Sequence, residues 1–143
     1  MTIDFHPALG EALWCDYDGI APEMVKRRLA VVVTPKACQR HRLVTVVPIS
    51  ASPPTLPRPW HVRLARDPLP GSLTEVWVKC DMVNVVSFDR LHGAYRRWNG
   101  RREHRPMRVS DAELVAIRAG ILHSFGFRPP GPPVTLAPSS QRA

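Results

Sequence analysis

Three short stretches of this chain carry side chains that could act together on a phosphodiester. Glu23-Met24-Val25-Lys26-Arg27-Arg28 sets one carboxylate and three cations directly before an apolar run that includes Val31, Val32 and Val33. Ser50 stands at the exit of a second β-branched run, Leu43 to Ile49, and Lys79 and Asp81 lie two residues apart within a third. Residues two apart on a strand share a face. RNA cleavage needs a base for the 2′-hydroxyl proton, a cation for the charge of the pentavalent phosphorane and an acid for the leaving 5′-oxygen. The 2′-hydroxyl is an internal nucleophile, so positioning does much of the work and DNA is refused at the chemical step. The bland reading of Lys79 and Asp81 is that opposite charges on one face neutralise each other.

Other chemistries lack their motifs. There is no H-E-x-x-H, no Walker loop, no G-x-S-x-G, no G-x-G-x-x-G and no carboxylate cluster with metal spacing. The six histidines are scattered. No metal and no cofactor are expected.

Size and charge narrow the reading. A chain of 143 residues suits one domain with a single core. The net charge of +8 favours a polyanionic partner, and its distribution sharpens that: residues 1–25 hold five acids and no Lys or Arg, so all twenty bases lie beyond them. Three cysteines, an odd number without metal-type spacing, predict a reduced cytoplasmic protein, with Cys15 and Cys80 buried as small hydrophobes. No apolar run approaches the roughly 20 residues of a membrane span. The N-terminus, with Asp4 and no basic stretch, predicts no secretory signal.

The elements that must hold these residues read mostly as strands. Gly10 to Asp18 alternates loosely and predicts a first strand, followed by the Asp18-Gly19 turn and an extended loop at Pro22. Arg28 to Thr34 predicts a second; its unbroken valines require burial on both faces. Leu43 to Ile49 predicts a third, with Pro48 at a strand end or an unpaired edge. Four prolines in residues 53–59 predict a stiff loop, and Trp60 to Leu64 a short strand with His61 and Arg63 on one face. Asp67 to Gly71 predicts a turn. Glu75 to Ser87 predicts the longest strand, with Trp77, Lys79 and Asp81 sharing a side and a bend or break at Asn84.

Asn99-Gly100 between Tyr95 and Glu103 is a strong hairpin signal. The hairpin lies in an Arg-rich block containing Arg96, Arg97, Arg101 and Arg102, either a solvated face or, with two aromatics interleaved, an RNA-binding surface. Ser110-Asp111-Ala112-Glu113 forms a capping box ahead of one helix, whose stripe Leu114, Ile117, Ile121, Leu122 and Phe125 predicts a core or dimer surface, with Gly126 ending it. Residues 128–143, with five prolines, predict a disordered tail beyond a domain at 1–127. A strand-rich chain with one terminal helix predicts a small, strongly bent β-barrel.

Several of these stretches resemble one family. Gly10-Glu11-Ala12-Leu13-Trp14-Cys15-Asp16-Tyr17-Asp18, then Glu23 and Arg28 at the spacing of E-x-x-[GK]-x-R-P, looks like the opening of the PemK/MazF toxins of bacterial toxin–antitoxin pairs. Pro48-Ile49-Ser50 matches P-x-[ST], Val78-Lys79-Cys80-Asp81-Met82 resembles V-[RK]-C-D-Q, and Arg90-Leu91 matches a later R-L; the likeness spans about residues 8–127. The resemblance implies an SH3-like barrel, usually a homodimer, and a metal-independent endoribonuclease that cleaves single-stranded RNA to a 2′,3′-cyclic phosphate. A cognate antitoxin would occlude the basic groove. It also implies that Arg28 is central to cleavage, that Ser50 is the family hydroxyl, and that Lys79 and Asp81 act as acid and base in an order left open. Glu23 joins them as a candidate catalytic residue, and Lys26, Arg27, Arg96, Arg97, Arg101 and Arg102 as RNA-binding candidates.

Three positions depart from the pattern: Pro22 replaces a histidine, Leu29 a proline and Met82 a glutamine; Lys79, which the pattern allows, gives up an arginine's bidentate fork. Two further readings stay open. One is the same barrel without catalysis, holding nucleic acid or protein; the other is a protein-targeting toxin, since related barrels inhibit a topoisomerase.

Overall fold

The computed structural model describes residues 2–65, 68, 75–98, 100–104 and 106–127. In chain order the elements are β1 (Glu11–Asp16), β2 (Arg27–Val32), β3 (Leu43–Ser50), β4 (His61–Arg63), β5 (Trp77–Lys79), β6 (Asn84–Ser87), β7 (Leu91–His92), β8 (Tyr95–Trp98), β9 (Arg101–His104), β10 (Met107–Arg108) and α1 (Asp111–Ser124). Apart from Pro68, the expected turn at Asp67 to Gly71 lies outside the described residues, as does the tail at 128–143.

The main sheet is antiparallel and runs β10-β1-β2-β3-β5-β4, with β6 also on β3 and β7 also on β1. Two strands change neighbour along their length. β1 pairs with β10 at Glu11 and Ala12, then with β7 at Trp14 and Cys15. β3 pairs with β6 from Leu43 to Val46, then with β5 at Ile49 and Ser50. These exchanges bend the sheet as an SH3-like barrel would. The sheet is nevertheless open: no pairing among the described residues joins β10 to β4.

Pro48 is not at a strand end; it meets the other expectation, an unpaired edge, on one side only. It lies inside β3, opposite Ala30 of β2, at the point where β3 passes from β6 to β5. A residue without an N–H is tolerated where the ladder changes partner.

The valine run is buried on both sides, as an unbroken apolar strand requires. Val31 packs into a cluster with Leu29, Val47, Ile49, Val78 and Ile117, while Ala30 and Val32 face a second cluster with Leu13, Cys15, Val44, Val46 and Leu91. Burying each such valine contributes roughly 2 kcal/mol.

The segment 75–87 breaks earlier than Asn84. β5 ends at Lys79, a turn closes through Met82 N–H to the Lys79 carbonyl (3.1 Å), and β6 starts at Asn84. Helix α1 reaches this turn: a β-carbon on Gly120 would lie 3.0 Å from Cys80 Sγ. The helix begins with the expected capping box and ends at Gly126, with φ of 86° and the amides of Gly126 and Phe127 on the carbonyls of His123 and Leu122. Ile117 is buried and Leu114 and Ile121 pack on the core, whereas Leu122 and Phe125 are exposed. β8 and β9 form a separate two-stranded antiparallel sheet, the predicted hairpin, with Gly100 in its turn at φ of 77°.

Candidate active site

Arg27 and Arg28 open β2, and the pleat sends them to opposite faces. Arg28 is on the side of Ala30. Ala30 pairs with Pro48, and carrying that register two residues further sets Arg28 opposite Ser50. Ser50 pairs directly with Trp77, so Trp77 and Lys79 share its face. β4 adds His61 opposite Lys79 and Arg63 opposite Trp77. One face of β2-β3-β5-β4 therefore gathers Arg28, Ser50, Trp77, Lys79, His61 and Arg63.

Arg28 is half-buried, and its Nε is buried without a hydrogen-bond partner among the described residues. Its neighbour across β1 is Cys15, and Tyr17 lies two residues further along that face. Burial pushes the Cys15 thiol up to about 12, partly offset by Arg90, and raises the Tyr17 hydroxyl as well. Both stay neutral at pH 7, so neither supplies Arg28 with an anion. Among the described residues the half-buried Arg28 has no salt-bridge partner.

Ser50 is 3% exposed, and its Oγ accepts the Ser52 N–H at 3.1 Å. An accepting hydroxyl still has its proton to donate. Lys79 is half-buried. Asp81 falls beyond the end of β5, exposed in the Lys79–Met82 turn, so the same-face argument for a strand pair does not reach it.

Glu23 is committed to its loop: Oε2 accepts the Ile20 N–H at 2.9 Å, inside a turn closed by Asp18 N–H to the Val25 carbonyl and Gly19 N–H to that of Met24. The segment around Pro22 is thus a turn rather than extended. Lys26 is exposed on the way into β2. Arg27 lies over the Trp14 ring (5.5 Å) and 3.7 Å from Asp16, whose other oxygen is 2.7 Å from His92 Nε2. Arg96, Arg97, Arg101 and Arg102 sit on the β8–β9 hairpin, Arg97 opposite Arg102 and Arg96 opposite Glu103.

Sequence reading missed His61, Arg63 and Trp77 as members of the Arg28 face. The period-two pattern had put Trp77 on the side of Lys79, and His61 with Arg63, but alternation within a strand does not name its partner. Among the described residues no group of three His, Cys, Asp or Glu side chains could hold a metal ion, and no helix is long and apolar enough to cross a membrane.

The described residues form a small, mainly antiparallel β protein with one C-terminal helix and a polar face at the strand ends. Residues 9–125 match the family described as PemK-like, MazF-like toxins of type II toxin–antitoxin systems, and the chain belongs to that family. A Haemophilus influenzae protein of uncharacterised function is 30% identical over 143 residues, spanning 85% of this chain and 98% of its own. MazF from Deinococcus radiodurans superposes with a TM-score of 0.63 at 20% identity, covering 87% of this chain and all of that one. A mycobacterial endoribonuclease solved in complex with its cognate antitoxin gives 0.60 at 20% identity over the same shares. At that identity the likeness speaks for the fold.

Proposed function

We propose that this chain is an endoribonuclease toxin that cuts single-stranded RNA, mRNA included, without a metal ion. The carrying observation is Arg28, whose buried Nε has no hydrogen-bond partner among the described residues, on one face with Ser50 and Lys79. The 2′-oxygen attacks phosphorus as a base takes its proton, the bond to the 5′-oxygen breaks, and an acid protonates that leaving oxygen. The products are a 2′,3′-cyclic phosphate and a free 5′-hydroxyl. Arg28 clamps the phosphorane, since a guanidinium keeps its proton and offers a planar fork. Ser50 donates a hydrogen bond to the same phosphate. Asp81 and Lys79 divide the proton transfers, the exposed carboxylate being the better base. Glu23 acts as a positioning residue through its loop.

Lys26 and the hairpin arginines Arg96, Arg97, Arg101 and Arg102 follow the RNA backbone in this reading. Arg27 contributes less, because Asp16 and Trp14 already engage it. The mycobacterial neighbour solved with its antitoxin supports a cognate antitoxin that covers the basic face. Exposed Val115 and Leu122 on α1, with Phe125 at its C-cap, support a homodimer, which sedimentation at graded concentration measures. The proposal treats residues 1–127 as the toxin domain, acting in the cytoplasm.

The deciding experiment incubates purified protein with single-stranded RNA in EDTA. Cleavage to a cyclic phosphate that Arg28→Ala abolishes, with binding retained, supports the enzyme. Intact RNA with tight, salt-sensitive binding would instead make the chain a binding module.

A further inference from the structure

The face that holds Arg28 continues past the phosphate chemistry onto β4 and β5, and there it carries an aromatic. Trp77 is half-exposed, directly opposite Ser50 on one side and Arg63 on the other. Its indole is not loose: Nε1 donates to Glu75 Oε1 at 2.9 Å, and the second oxygen of that carboxylate lies 3.3 Å from Arg63 Nη2. One carboxylate thus fixes the ring edge while Arg63 fixes the carboxylate. Next along the face, His61 opposes Lys79, and its Nδ1 accepts the Arg58 N–H at 3.0 Å, leaving Nε2 as the ring's donor in the neutral form.

We propose that Trp77 is a stacking platform for a nucleobase next to the scissile phosphate, with Glu75 and Arg63 as its positioning residues. The inference rests on the nuclease reading of Arg28 and Ser50 and adds to it where a base of the substrate sits. Directly opposite residues in an antiparallel pair have β-carbons about 5 Å apart. A phosphate held at Arg28 and Ser50 therefore has its neighbouring sugar within reach of the Trp77 ring. Every base has a π-face, so the platform accepts any base. It supplies affinity and register, while sequence preference is left to hydrogen-bonding groups such as His61 Nε2–H. Cations beside the ring hold the backbone, and the aromatic orients the base.

The test uses full-length protein and a short single-stranded RNA of fixed sequence made entirely with 2′-O-methyl sugars, which binds but has no nucleophile. Affinity is measured for wild type, Trp77→Phe and Trp77→Ala, against the intact oligonucleotide and a set carrying one abasic site each. Wild type is expected to quench on binding and to lose about tenfold in affinity at one abasic position. Trp77→Ala should lose the same factor on intact RNA and nothing further at that position. Trp77→Phe should keep most of the affinity but lose the share of the quenching that Trp77 supplies among the four tryptophans, which also guards against a misfolded alanine variant. Equal affinities for Trp77→Ala and wild type at every position would overturn the platform.

A parallel assay with cleavable RNA separates the two ideas. Cleavage by wild type with unchanged KM in Trp77→Ala sinks the platform alone. No cleavage and no binding by wild type sinks the nuclease reading and the platform with it.

Discussion

Arg27 and Arg28 are neighbours in sequence and opposites in circumstance. Arg27 sits over Trp14, 3.7 Å from Asp16, and Asp16 also holds His92 at 2.7 Å. That cluster neutralises itself on the face that packs towards α1. Arg28, one residue on, faces two groups kept neutral by burial and finds no hydrogen-bond partner for its Nε among the described residues. The contrast shows that a run of cations does not form one basic surface when a strand carries it. The pleat divides the run, and the partners on each face decide which charge remains for a ligand.

The largest expected effect breaks that contrast at its stronger side. Arg28→Ala should lower kcat by at least about a hundredfold, as removal of a transition-state donor does, with the melting temperature held. Arg28→Lys should recover only part, since an ammonium lacks the fork. Arg27→Ala should change kcat by no more than a few-fold and stability by about 1 kcal/mol or less, because its ion pair is solvent-exposed. Equal losses in kcat from the two alanine variants would mean that the faces are not chemically distinct. Next in size, Ser50→Ala should cost roughly tenfold or more in kcat while Ser50→Thr retains activity, because threonine restores the hydroxyl. Ser50→Ala also leaves the Ser52 amide without its acceptor, a stability loss of about 1 kcal/mol that thermal melting would detect.

What could be read from the chain and what could not follow one physical division. Local signals held: the Ser110–Glu113 capping box, the β8–β9 hairpin, Gly126 at the helix end and the doubly buried valines each depend on residues a few positions apart. Strand pairing did not. Pro48 sits inside β3 because β3 exchanges β6 for β5 there, and no local pattern encodes a change of neighbour. β5 stops at Lys79 because a turn packs under Gly120 of α1, a contact forty residues away that removes Asp81 from the strand. In the site, Arg28, Ser50 and Lys79 were identifiable by type and by family likeness. Their union with Trp77, His61 and Arg63 rests on register, which single-strand alternation leaves undetermined.

A smaller effect sharpens the comparison through salt. If the Arg28 face holds the RNA backbone, each phosphate contact removed should flatten the dependence of log K on log salt by about 0.7. Lys79→Gln should show that change, measured by titrating uncleavable RNA at several ionic strengths. Arg42→Gln should not, since Arg42 is bound to Asp89 at 3.0 Å and lies over Phe88. Equal slopes for wild type and Lys79→Gln would move the backbone path off β5.

The smallest effect concerns the buried thiols, one beside Arg28 and one under α1. Burial pushes both Cys15 and Cys80 up to about 12 from the ordinary 9.0, with Arg90 pulling Cys15 partly back and Asp81 adding to the rise at Cys80. A group that binds its proton more tightly when folded stabilises the fold fully below the unfolded value. That contribution fades as pH climbs through the folded one. Urea midpoints should therefore be insensitive to these thiols up to about pH 9 and decline towards pH 12, and Cys80→Ala should remove part of the decline. At neutral pH the same burial leaves Cys38, the exposed thiol, as the one that reacts quickly with a disulfide reagent, while Cys15 and Cys80 react only on opening. Rapid modification of Cys15 in the native protein would mean that Arg28's floor is open to solvent, and that a thiolate could reach the guanidinium before any phosphate does.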